Sequence, residues 1–307
     1  MANETLAGVF TPVLTPFDKS LQIDAAHFTK FCNWILTQGA GLAVFGTASE
    51  ANSLTVEERL ELLAGLIEAG LPPEKMMPGT GACALSDAVA LCRAAAKAKT
   101  AAVLMLPPFY YKPVPEDGLF AFYAEAIQRV GDPALKICLY HIPQLSGVPI
   151  TLSLIERLTK AYPGTVVGIK DSGGDFANTK SMLEAFPNFR VFCGSERFLL
   201  DTMRHGGAGC ISATANIYPG AIVNLYETRA TPDADAKQQA LSQMRTAFES
   251  ALMIPALKRT IAEYGKAPEF KTTRPPLSDL GDNDWDKLKA LIGGLGLKTP
   301  NLDKALS

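Results

Sequence analysis

The chain is poor in the residues that mark several common chemistries. Its 307 residues include three histidines, His27, His141 and His205, which are far apart and fit no metal-ligand spacing such as HExxH. No metal site is expected. There is no GxGxxG and no GxxxxGK[ST], so nothing supports a bound nucleotide phosphate, and no cofactor is expected either. The six cysteines, Cys32, Cys83, Cys92, Cys138, Cys193 and Cys210, form no CxxC pair. In contexts such as KICLY and RVFCG they read as small buried hydrophobes, and free thiols fit a reducing cytoplasm. Lys/Arg runs are absent and the net charge is −2, which excludes a basic nucleic-acid binder and an anionic-membrane binder. The most apolar stretch, AAVLMLPPFYY, is shorter than the roughly 20 residues of a spanning helix and holds two prolines. MANETLAGVF carries no basic region followed by a long apolar stretch, so no secretory signal is expected.

What is present is a rhythm. Hydrophobic residues make up 48%, and short apolar runs ending in turn residues recur eight times: 8–17, 41–46, 75–81, 101–109, 136–143, 166–172, 190–196 and 209–216. Most are continuous rather than alternating, as in strands buried on both faces. Helical patterns fill the gaps. In one, Phe28, Phe31, Ile35 and Leu36 share a face; in the next, Thr55 and Glu58 have capping-box spacing. Gly39, Gly70 and Gly206 stand where helix C-caps are expected. Eight strands alternating with helices predict a (β/α)8 TIM barrel over residues 1–225, in preference to an open doubly wound sheet. Residues 226–307 read as a helical C-terminal region, with one long helix kinked at Pro255.

In such a barrel the C-terminal ends of the strands carry the chemistry. The run VVGIKDSGG puts an ammonium group, Lys170, directly after a buried apolar strand, with Tyr140 at the end of the strand before it. Partial desolvation there disfavours the charged amine and frees a nucleophile that can condense with a ketone to a Schiff base. Tyr140 can carry the protons this requires. The residues alone leave a second reading open, in which Lys170 pairs with Asp171 or another carboxylate as a structural ion pair.

Taken in order, GTASE (46–50), YHIP (140–143), GIKDSGG (168–174), GSE (194–196) and GCISATANIYP (209–219) resemble the dihydrodipicolinate synthase/N-acetylneuraminate lyase family. The resemblance runs over nearly the whole barrel and the helical tail. It implies a Schiff-base lyase of the class I aldolase type, acting on pyruvate or another 2-keto acid, in a homotetramer. By position it makes Lys170 the Schiff-base lysine and Tyr140 the catalytic tyrosine. It makes Thr47 and Ala48 part of the loop that holds the keto-acid carboxylate through side-chain and backbone donors. Tyr111, or Tyr110 if the register is off by one, matches a tyrosine that reaches a neighbouring subunit's site. Ile211 falls where the family lines the pyruvate pocket, and Gly194 and Glu196 fall where substrate is held.

The departures concern specificity. Ala48 replaces a second hydroxyl residue, so a proton relay must run through Thr47 or water. Leu145 stands where the synthases have an arginine for the second substrate's carboxylate. Glu196, Arg197 and Ala213 only partly match the lyase's contacts to a hydroxylated tail. Glu196 and Arg197 read as a mutual ion pair or as groups that recognise such a tail. His141 reads as a hydrogen-bonded histidine behind the site, and Asp171 and Ser172 as residues that orient the loop after Lys170. A 2-keto-3-deoxy sugar acid is the expected substrate type. Dehydration of such an acid, dihydrodipicolinate synthesis, a metal-dependent aldolase and a non-catalytic keto-acid-binding paralogue are the rivals.

Overall fold

The computed structural model describes residues 6–307, so residues 1–5 of the N-terminal reading lie outside the described residues. Seven short strands form one parallel sheet: β1 Gly8–Thr11, β2 Gly41–Leu42, β3 Val103–Met105, β4 Ile137–His141, β5 Val166–Asp171, β6 Arg190–Cys193 and β7 Gly209–Ile211. Their order is β2-β1-β7-β6-β5-β4-β3. The eighth expected strand is present as backbone bridging that closes the ring between β2 and β3. Met76 bridges Leu42 and Gly79 bridges Leu104. Met77 N and Gly79 N donate to Leu42 O and Val44 O, and Leu104 N donates to Pro78 O. Pro78 has no N–H to give a ladder, which is why this staves the barrel without forming a regular strand.

The helices are α1 Ala25–Thr37, α2 Val56–Glu68, α3 Leu85–Lys97, α4 Glu116–Val130, α5 Pro143–Ser146, α6 Leu152–Ala161, α7 Phe176–Ala185, α8 Leu199–Arg204, α9 Pro219–Glu227, α10 Ala234–Glu249, α11 Met253–Tyr264, α12 Asp282–Gly294 and α13 Leu302–Leu306. Thr55 and Glu58 make the capping box of α2. Gly39, Gly70 and Gly206 have φ of +87°, +79° and +84° just past helix ends, a region open to glycine at no steric cost.

Two expectations change. The division expected at 225/226 would cut α9, the helix that follows the last strand and starts with Pro219 in its first turn. The long tail helix is not kinked at Pro255. It stops at Glu249 and restarts at Met253, so Pro255 sits in the first turn of α11, where its missing N–H costs nothing.

Apolar side chains form two cores. The larger lies between the sheet and the helices, with Phe28, Phe31, Ile35, Leu139 and Ile169 among its members. The smaller fills the barrel and includes Phe10, Leu104, Cys138, Tyr140, Phe192 and Ile211. Side chains alternate along a strand. With Leu139 outside, Cys138 and Tyr140 face in; with Ile169 outside, Lys170 faces in. Five cysteines are buried as expected, but Cys83 is exposed. No helix among the described residues is long and apolar enough to cross a membrane.

Candidate active site

The parallel register sets Tyr140 on β4 directly beside Lys170 on β5. Lys170 Nζ donates to Tyr140 Oη at 3.2 Å and lies 4.2 Å from the centre of the phenol ring. Tyr140 Oη in turn lies 3.1 Å from Thr47 Oγ1, on the loop after β2. Amine, phenol and hydroxyl therefore form one chain of hydrogen bonds inside the barrel mouth. Ala48 is in the position that cannot extend this chain, and Thr47 extends it instead. Lys170 is 4% exposed and has no salt bridge among the described residues, so the ion-pair reading does not hold. Asp171 is turned away: Oδ1 accepts from Gly173 N at 2.9 Å, and Oδ2 accepts from Asn178 Nδ2 at 3.0 Å and Thr179 Oγ1 at 2.7 Å. It fixes the loop behind the amine and leaves the amine free of a charged partner.

A cavity of about 420 Å³ opens here, lined in part by Thr47, Ala48, Tyr140, Lys170, Gly194 and Leu145. A larger depression of about 560 Å³ lies at the opposite end, around Lys136, Val166 and Arg190, where strands begin; it holds none of these groups. Gly194 is required by close approach, since a Cβ there would collide with Ser172 Oγ and stand 2.8 Å from Asp171 O. Ile211 is fully buried in the barrel interior with Tyr140 and Phe192. Tyr110 and Tyr111 are 75% and 83% exposed and do not line the cavity of their own chain. No cluster of three His, Cys, Asp or Glu suited to a metal ion occurs among the described residues.

Glu196 is a correction. It is fully buried and does not line the cavity. Ser212 and Thr214 hydroxyls donate to its two oxygens, Tyr218 Oη donates at 2.6 Å, and Arg245 Nη1 lies 3.5 Å away. With its lone pairs taken by these donors, it has none to turn toward a ligand. The expected Glu196–Arg197 pair is exchanged for two others, Glu196–Arg245 and Arg197–Glu249. Arg245 and Glu249, which the sequence reading missed, line the mouth from α10. Their only signal was charge at i and i+4 on a tail helix, which is also the spacing of a solvated face.

The loop holding Thr47 is tied to the C-terminal helices. Glu50 ends it in the left-handed region, at φ +58°. Its Oε1 accepts from Lys258 Nζ of α11 at 2.5 Å and its Oε2 from Arg274 N at 3.0 Å. Lys258 Nζ also donates to Thr15 O at 2.8 Å. Burial pulls the Lys258 ammonium down to about 8 against the attraction of Glu50. Arg274 further binds Glu58 at 2.6 Å. The tail is thus part of the support for the loop that carries Thr47.

His141 is 7% exposed and its Nδ1 accepts from Ile150 N at 3.0 Å, behind the site as expected. Burial lowers its imidazole below the ordinary 6.5, with Asp171 opposing. The unfolded chain therefore holds this proton more tightly than the folded one. The stabilising contribution is complete above about pH 6.5 and declines as pH falls through the lowered folded value. Urea unfolding at pH 7 and pH 5 should show a smaller acid loss for His141→Asn than for the unsubstituted chain. Equal losses would contradict this role.

The model of the Dihydrodipicolinate synthetase family matches residues 5–294. An uncharacterized DapA-like lyase of Chloroflexus aurantiacus is 32% identical over 286 residues, covering 92% of this chain and 95% of that protein. A 4-hydroxy-tetrahydrodipicolinate synthase of Thermus thermophilus is 29% identical over 294 residues, covering 94% and 96%. Among solved structures, YagE, a prophage protein of E. coli K12 in complex with pyruvate, superposes with a TM-score of 0.87 at 27% identity, covering 95% of this chain and 99% of that one.

Proposed function

The chain belongs to the dihydrodipicolinate synthetase family, and on that premise we propose that it is a Schiff-base lyase that cleaves or forms a carbon–carbon bond next to a 2-oxo acid, with Lys170 as nucleophile. The observation that carries this reading is the unbroken Lys170–Tyr140–Thr47 chain at the cavity floor, with no carboxylate on the amine. Relatives that make 4-hydroxy-tetrahydrodipicolinate and a neighbour that holds pyruvate support the oxo-acid class.

The Lys170 amine adds to C2 of the bound acid, and the former carbonyl oxygen leaves as water. The iminium formed is an electron sink. When Tyr140 takes the proton of a C4 hydroxyl, the C3–C4 bond breaks, its electron pair becomes an enamine, and C4 departs as an aldehyde. The enamine is protonated at C3, and water releases pyruvate and restores the amine. In this reading Thr47 relays the phenol's proton, and the backbone N–H groups of residues 47 and 48 hold the carboxylate. Ile211 packs in the apolar barrel interior with Tyr140 and does not itself line the cavity.

Self-association is part of the reading. Tyr110 and Tyr111 stack edge-to-face at 5.4 Å in solvent, a surface suited to a second copy in a tetramer. Buried free thiols favour the cytoplasm.

A coupled assay for pyruvate release across 4-hydroxy-2-oxo acids, with water loss monitored in parallel, tests the reaction. Pyruvate and aldehyde should appear in equal amounts. Water loss without pyruvate would move the chain to carbon–oxygen cleavage.

A further inference from the structure

Two guanidinium groups line the outer part of the Lys170 cavity. Arg197 stands on the turn Glu196–Phe198 after β6, and Arg245 on α10. Glu249 holds both: its Oε2 accepts from Arg197 Nη2 at 2.5 Å and its Oε1 from Arg245 Nε at 2.9 Å. Arg245 is also fixed from behind, with Nη1 3.1 Å from Ser212 Oγ and 3.5 Å from Glu196. Its side chain is 14% exposed. Both groups are therefore set in place before any ligand arrives, which lowers the ordering cost of binding.

Among the charged side chains at the mouth, the hydrogen-bonding positions left free are donors. Arg197 Nε and Nη1 and Arg245 Nη2 have no partner among the described residues. The carboxylates that line the cavity are Glu249 and Asp171. Glu249 already bridges the two guanidinium groups, and Asp171 is committed to Gly173, Asn178 and Thr179. A hydroxylated tail needs acceptors as well as donors; a carboxylate needs donors only. Leu145, Met253 and Ile254 also line the cavity and add apolar surface, which strengthens a charge contact beside them.

We propose that Arg197 and Arg245 form a second anion subsite, which binds a carboxylate at the end of the substrate remote from its oxo-acid group. The substrate class is then a 4-hydroxy-2-oxo dicarboxylic acid. In the condensing direction it is pyruvate plus an aldehyde that bears its own carboxylate. This rests on the Lys170 reading: C3–C4 breaks, its electron pair passes to the enamine, and the products are pyruvate and an aldehyde acid.

The test pairs carboxylate-bearing aldehydes, glyoxylate and succinic semialdehyde, with neutral hydroxy-aldehydes of the same length, glycolaldehyde and 4-hydroxybutanal. Each is condensed with pyruvate. For the better-fitting length, kcat/KM should favour the carboxylate at least about 30-fold. Arg197→Gln and Arg245→Gln should each cut that ratio about tenfold or more, chiefly through KM. Arg245→Gln disturbs the surroundings of buried Glu196, so the more exposed Arg197→Gln is the cleaner arm. Borohydride trapping of pyruvate on Lys170 in every variant reports that the inner site is intact. A ratio near or below one at both lengths, or variants that lose both aldehydes equally while trapping persists, overturns the subsite alone. Failure of trapping in the unsubstituted chain overturns the Lys170 reading and the subsite with it.

Discussion

Lys170→Ala should lose turnover by a factor on the order of 10⁴ to 10⁶, the range seen when a covalent nucleophile is removed, while the protein stays folded. The amine makes one hydrogen bond, to Tyr140 Oη, and no salt bridge among the described residues, so its loss leaves no buried charge unpaired. A thermal melt alongside the pyruvate-release assay separates the two effects. Lys170→Arg should be equally inactive, because a guanidinium that stays protonated cannot add to a carbonyl. Activity within tenfold of the unsubstituted chain in either variant would mean that the chemistry lies elsewhere.

The largest stability effect is expected at the other buried lysine. Lys258→Met should cost about 3–5 kcal/mol, as removal of one partner of a buried pair does. Both side chains of the Lys258–Glu50 pair are fully buried, and Glu50 would keep a single donor to its carboxylate, Arg274 N. The melting temperature should fall on the order of 10 °C. Adding Glu50→Gln should recover part of the loss, because the stranded charge is then gone. Function should suffer too: Glu50 ends the loop that places Thr47, so KM for the oxo acid should rise more than kcat falls. A melt shifted by less than about 1 °C would show that the pair is not holding that loop.

Much of this was legible in the sequence. Apolar runs ending in turn residues marked all eight barrel positions, including the one that Pro78 keeps from forming a regular strand. Lys170 stood out because a charged residue closes an otherwise apolar run, and strand alternation then turned it inward beside Tyr140. What the sequence hid is contact across distance. Glu196 and Arg197 are neighbours in the chain, yet their charges are satisfied by residues on α10 some 50 positions away. Helical spacing in the tail shows which residues share a face but not what that face meets. Arg245, Glu249, Lys258 and Arg274 therefore looked like ordinary charges on a C-terminal appendage. The break between α10 and α11 was misplaced because a proline in a helix-like run can kink a helix or begin one, and the pattern is the same.

The most direct test of the central claim is covalent. The protein is incubated with pyruvate, reduced with borohydride, digested, and mapped by mass spectrometry. The expected result is a reduced pyruvyl adduct on Lys170 and on no other lysine. An unmodified Lys170, or an adduct that maps to a different lysine, would contradict the account.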